Sequence, residues 1–141
     1  MTKKGKVVLT MGRKKKAIAR VALREGVGDI KVNGVPVSIL KPEAAREIML
    51  EPILIAQDVL GKNFEYGINL TVNVSGGGIM GQAYAARTAM GKALVKWSDN
   101  DNLKKAYLEY DRSLIIDDVR IKEPKKYLRK GARAKPIKSY R

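Results

Sequence analysis

Tyr66-Gly-Ile-Asn-Leu-Thr-Val-Asn-Val74, then Ser75-Gly76-Gly77-Gly78, then a run of small residues from Met80 to Trp97: this stretch decides the fold. Ile68, Leu70, Val72 and Val74 face one way and Asn69, Thr71 and Asn73 the other, the period-two pattern of a strand with one buried face. Beyond the glycines, Ala83, Ala86, Met90, Leu94 and Trp97 recur at steps of three and four, which predicts a helix buried along that stripe. A strand handing over to a helix through three glycines is the hinge around which the rest is arranged.

Upstream, Lys6–Thr10 favours β structure, and Ala17–Leu23 alternates as a strand in which Ile18 and Val21 face opposite ways. Gly12-Arg13-Lys14-Lys15-Lys16 lies between them and reads as a basic hairpin loop. Four adjacent like charges repel, so contact with phosphate fits better than a merely solvated turn. Asp29–Val32 is a short strand, Asn33-Gly34 a strong hairpin signal because both positions tolerate positive φ, and Val35-Pro36-Val37 an edge strand where proline is allowed. Pro42 opens a helix to about Leu50, and Pro52 starts a second that ends near Gly61. After Ser98-Asp99-Asn100 a further helix runs to about Tyr110. The order predicts an α+β fold, a largely antiparallel sheet packed against helices, with residues 1–123 as the globular domain and 124–141 as an extended basic tail.

Composition narrows the function. The chain has 141 residues, no cysteine and no histidine, which removes thiolate chemistry, the commonest general base and the commonest metal ligand. No cofactor is expected. No apolar run approaches the ~20 residues of a membrane span, no basic amphipathic helix suits a membrane surface, and Met1–Lys6 does not read as a signal peptide, so a cytoplasmic location is expected. The formal charge is +15, and it is segregated. Residues 1–24 carry nine bases and no acid, 25–111 nine bases and eleven acids, and 112–141 eleven bases and three acids. A near-neutral middle between two basic ends points to a polyanionic partner. In the tail, Lys125, Lys126, Arg129, Lys130, Arg133, Lys135, Lys138 and Arg141 meet no acid. Apolar residues are too few there to offset the ordering entropy, so the tail is either solvated or ordered by its partner. Tyr127 and Tyr140 stand among these cations, where an aromatic ring can stack on a base or pack on a neighbour.

Gly76–Gly78 could cradle a nucleotide phosphate at a helix N-terminus. But Gly91-Lys92 lies inside the helix, is followed by Ala93, and has Ala86 where a P-loop needs its first glycine. Asp117-Asp118, Asp99 with Asp101, and Glu43 with Glu47 have structural roles available and no partner base. A small nucleotide-binding enzyme and a DNA-compacting protein are the alternatives to an RNA-binding one.

The segment Gly76-Gly77-Gly78-x-x-Gly81-Gln82-x-x-Ala85, continuing through Ala89-x-Gly91-Lys92-Ala93-Leu94, resembles the signature of the small-subunit ribosomal protein nine family. Gly12–Val21 and Ile30–Gly34 resemble that family's two hairpins, and Lys138-Ser139-Tyr140-Arg141 its C-terminal end, in a form closer to archaeal or eukaryotic members than to bacterial ones. The resemblance implies a fold like the second domain of ribosomal protein five and a place in the head of the small subunit, beside other head proteins. It also implies ribosomal RNA contacts through Arg13–Lys16, Arg20, Gly76–Gly78, Gln82 and the tail bases Lys125 to Lys135. The tail tip, Lys138, Tyr140 and Arg141, would touch peptidyl-site transfer RNA. At ~3.3 Å per extended residue, the ten or so residues after Gly131 reach about 30 Å.

Overall fold

The computed structural model describes residues 5–62 and 67–139. A five-stranded sheet carries its helices on one face. The strands are β1 (Val7–Lys14), β2 (Ala17–Glu25), β3 (Ile30–Val32), β4 (Val35–Pro36) and β5 (Ile68–Ser75), in the order β1-β2-β5-β3-β4. All neighbours run antiparallel except β3 beside β5. The α+β class and the mostly antiparallel sheet therefore stand. The strand expected from Tyr66 begins at Ile68 among the described residues; Tyr66 lies outside them.

Alternation makes the core. Ala17, Ala19, Val21 and Leu23 on β2 and Ile68, Leu70 and Val72 on β5 are buried toward the helices, while Arg20, Arg24, Thr71 and Asn73 are exposed on the opposite face. Asn33 (φ 49°) and Gly34 (φ 83°) form the expected turn. The Asn33 side chain then accepts from Val74 N–H at 2.9 Å and donates to Val74 C=O at 3.3 Å, tying the turn to β5.

Helix α2 (Ile79–Ser98) packs across β1 and β2, α1 (Glu43–Leu60) packs on α2, and α3 (Asp101–Tyr110) on α1. Because α2 is covered from both sides, it is buried on more than the expected stripe: Ala85, Arg87, Thr88, Ala89 and Ala93 join Ala83, Ala86, Met90 and Leu94, whereas Trp97 is only half-buried. Gly12 and Gly91 permit the close approaches. A Cβ on Gly12 would collide with the α2 backbone at Ala85, and one on Gly91 would lie 2.6 Å from the Leu114 carbonyl.

The two helices expected over residues 42–61 are one. Pro52 sits inside α1, where it deprives the Ile48 carbonyl of its donor, a defect that normally costs ~3 kcal/mol. Burial overrides it. Met49, Pro52, Ile53 and Ala56 share a buried face, and the Tyr107 hydroxyl donates to the Pro52 carbonyl at 2.6 Å. Breaking the helix at Pro52 would rotate Ile53 and Ala56 out of that core. Burial holds the Tyr107 phenol protonated well above the usual range. After α3, a 3-10 turn (Arg112–Leu114) buries Leu114 completely.

Candidate nucleic-acid interface

The glycine turn and the basic hairpin form one structure. Strands β1 and β2 close through Lys15-Lys16, with Lys15 at φ 55°. Gly76 (φ 73°) and Gly77 (φ 65°) hold left-handed backbone that other residues resist, and their Cα atoms lie against this turn. A Cβ on Gly76 would stand 2.6 Å from the Lys16 carbonyl, and one on Gly77 3.0 Å from Ala17 Cβ. The three-glycine sequence is thus first a docking surface for the hairpin. Gln82 secures it: its side-chain amide donates to the Gly76 carbonyl at 3.1 Å.

Between these elements lies an open cleft of about 420 Å³, bordered by Lys14–Lys16, Gly77-Gly78, Tyr84 and Lys122. The N-terminus of α2 opens beside it. Its N-cap is Gly78, which offers no side-chain acceptor, and its first turn has no acid. The free N–H groups there carry the positive end of a twenty-residue helix dipole. Several lysines and an uncapped helix start around one cleft make a site for anionic oxygen atoms.

The four adjacent bases do not act alike. Arg13 Nε folds back onto the Lys15 carbonyl at 3.0 Å. Lys14 is held by Asp118 at 3.1 Å and lies 5.5 Å from the Tyr84 ring centroid. Lys15 and Lys16 are exposed and make no ion pair among the described residues. Arg20 does not join the cleft. It is exposed on the outer sheet face, in register with Met11 and Asn73, and borders a separate shallow groove.

Asp117 and Asp118, a carboxylate pair with no partner base in the sequence, complete the region together with Lys92 and Arg120. Asp117 accepts from the Arg13 backbone N–H at 3.1 Å and pairs with Lys92 at 2.6 Å. Asp118 pairs with Lys14 and, at 2.9 Å, with Arg120. Hydrogen bonds from Arg120 hold its carboxyl far below the usual carboxylate range, with Lys14 assisting against partial burial. Lys92 also donates to the Met11 carbonyl at 3.1 Å. Gly91-Lys92 therefore serves packing and pairing inside the fold, which removes the last element of a P-loop reading.

Beyond Asp118 the described chain forms no helix or regular strand. Arg133 returns to Glu123 at 2.7 Å, a pair that lowers the glutamate's proton affinity, so Arg133 is not the free cation its sequence context suggested. Lys125, Lys126, Arg129, Lys130, Lys135 and Lys138 make no ion pair among the described residues. Tyr127 is 90% exposed, so it does not pack on the body of the domain. Tyr140 and Arg141 lie outside the described residues. Among the described residues no helix is long and apolar enough to cross a membrane, and no cluster of three metal-ligating side chains occurs.

Residues 12–141 match the family described as ribosomal protein S9/S16. The chain is 46% identical over 136 residues to the small ribosomal subunit protein uS9 of Methanothrix thermoacetophila, covering 96% of this chain and 99% of the relative. It is 45% identical over 134 residues to the protein of the same name from Thermoplasma volcanium, covering 95% and 98%. On a match from the basic hairpin to the last arginine, and on two archaeal relatives aligned almost end to end, the chain belongs to the ribosomal protein S9/S16 family and is a ribosomal protein, not an enzyme.

Proposed function

We propose that this protein is a structural component of the small ribosomal subunit that binds small-subunit ribosomal RNA at the hairpin–glycine cleft, and that its tail, residues 124–141, reaches peptidyl-site transfer RNA. One observation carries the RNA reading: Lys15, Lys16 and Lys122 and the uncapped start of α2 border one cleft. Phosphate oxygens match that set, because lysines neutralise them and backbone N–H groups orient them. The curvature of the site comes from Gly76 and Gly77, so the cations are presented by a folded scaffold. Arg20 on the outer face would serve a separate contact with the same RNA.

The transfer-RNA contact rests on the family resemblance at Lys138, Tyr140 and Arg141, and on the exposed tail lysines Lys125, Lys126, Lys130, Lys135 and Lys138, which make no ion pair among the described residues. Filter binding over a salt series with a small-subunit ribosomal RNA transcript tests the first part. The expectation is a linear fall of log affinity with log salt, shallower in the Lys15→Ser/Lys16→Ser variant. An unchanged slope would remove the cleft from the interface. Small subunits rebuilt with protein lacking residues 138–141 test the second part: peptidyl-site transfer RNA should bind more weakly, and equal binding would reject the tail's role.

A further inference from the structure

Where the tail leaves the domain is set by two aspartates. Asp118 adds to the free edge of β1 as a one-residue parallel bridge opposite Lys14. Its N–H donates to the Arg13 carbonyl at 3.0 Å, and its carbonyl accepts from Lys15 N–H at 2.8 Å. These bonds flank the hairpin turn itself. The side chains reinforce the bridge from two sides. Asp117 is held by Lys92 from α2 and by the Arg13 N–H, and Asp118 by Lys14 from β1 and by Arg120 from the segment that leads into the tail. Two carboxylates thus sit inside the most basic region of a +15 chain, where they subtract from its attraction for RNA.

We propose that Asp117 and Asp118 are positioning residues of the RNA interface: they clamp the root of the tail beside the Lys15-Lys16 turn, so that hairpin and tail engage one RNA as a single two-part surface. The inference rests on the RNA-binding reading above and adds the coupling between its two parts. With the clamp closed, Lys125, the first tail base, lies seven residue steps from Asp118, a reach of at most ~23 Å. With the clamp open, the nearest fixed point is the buried Leu114, and eleven residues span as much as ~36 Å. Effective concentration falls roughly as the −3/2 power of tether length, which gives about a two-fold loss from length alone, before any loss of direction.

The sign of the effect separates positioning from simple charge. Asp117→Asn/Asp118→Asn raises the net charge by two, so bulk electrostatics alone predicts tighter binding to every RNA. Two RNAs read the difference: a small-subunit ribosomal RNA transcript, which can meet hairpin and tail together, and a short RNA duplex, which can meet the hairpin alone. The ratio of transcript affinity to duplex affinity should fall at least two-fold in the aspartate variant, with both cations of the turn intact. An unchanged or increased ratio would overturn the clamp. If the double variant does not fold, the exchange Lys92→Asp/Asp117→Lys keeps the net charge and re-forms one pair. It should hold the ratio above that of Lys92→Asp alone, because the ion pair returns while the Arg13 N–H bond, which a lysine cannot accept, does not; equal ratios in these two would also overturn the clamp. Lys15→Ser/Lys16→Ser is the control for the underlying reading. If that variant binds both RNAs as the parent does, the cleft reading fails. If it weakens binding while the aspartate variants leave the ratio alone, only the clamp fails.

Discussion

The two basic ends of this chain have similar charge density and opposite structural fates. Residues 7–25 become β1 and β2 of the sheet, whereas the described tail beyond Glu123 has neither helix nor strand. The difference lies in the apolar residues between the charges. Val8, Ala17, Ala19, Val21 and Leu23 fall on the face that meets α2, so each strand buries surface while it displays lysine and arginine. In the tail, Tyr127, Leu128 and Ile137 are 90%, 81% and 77% exposed and bury little against the domain. Charge tells which partner a segment seeks. Apolar periodicity tells whether the segment is folded before it meets that partner.

The largest effect should come from breaking the built-in region. Gly76→Val forces a branched residue to φ 73° and sets its Cβ against the Lys16 carbonyl. The left-handed conformation costs about 1–2 kcal/mol and the steric conflict about 1–3 kcal/mol more. A thermal or urea melt should show a loss of about 2–5 kcal/mol, and a change within 0.5 kcal/mol would mean the hairpin is not docked on the glycines.

Next comes Lys15→Ser/Lys16→Ser, which removes charge and leaves the scaffold. Stability should stay within about 0.5 kcal/mol of the parent, as for surface changes generally. The slope of log affinity against log salt should become shallower by roughly 1.4 to 1.8 for two lost phosphate contacts. Removing residues 132–141 should do less to the body of the protein. Its melting temperature should remain within about 2 °C of the parent, because the deleted segment buries little, and its ribosomal RNA affinity should fall only a few-fold. A large destabilisation would erase the distinction between the two ends.

The smallest effect concerns the segment that leads into the tail. Burial tends to raise the Asp111 carboxyl, but hydrogen bonds from the Ser113 hydroxyl and N–H and from Arg87 outweigh it and lower its pKa from 3.8 to about 2. A depressed folded pKa contributes stability above about 4 that is lost as pH falls toward 2. Asp111→Asn should therefore be less stable at neutral pH and lose less stability between pH 4 and 2. Parallel acid titrations of parent and variant would refute this.

Much of the sheet was legible because its signals are local. The β5 alternation, the Asn33-Gly34 turn and the α2 stripe each depend on residues within one element. Continuity of α1 through Pro52 was not legible, because a local rule says break and burial against α3 says continue. The interface was legible in part. Four consecutive bases mark a candidate binding loop, but only the fold shows that Arg13 and Lys14 are already engaged. Asp117 meets the Arg13 N–H across 104 positions, so nothing in the spacing signals it. Arg87 is similar: buried within α2, it is held by Glu51 at 2.5 Å and Asp111 at 2.9 Å, which come from two other parts of the chain. Arg20 shows the reverse case. It belongs to the same sequence stretch as the hairpin, but strand alternation sends it to the other face.

Amide hydrogen exchange of the protein alone and bound to small-subunit ribosomal RNA tests the central contrast most directly. Amides paired across β1 and β2 and the Lys15 amide held by Asp118 should be protected in the free protein, with residues 124–139 exchanging fast until RNA is added. Fast exchange in the β1–β2 hairpin of the free protein, or slow exchange throughout its tail, would contradict the account.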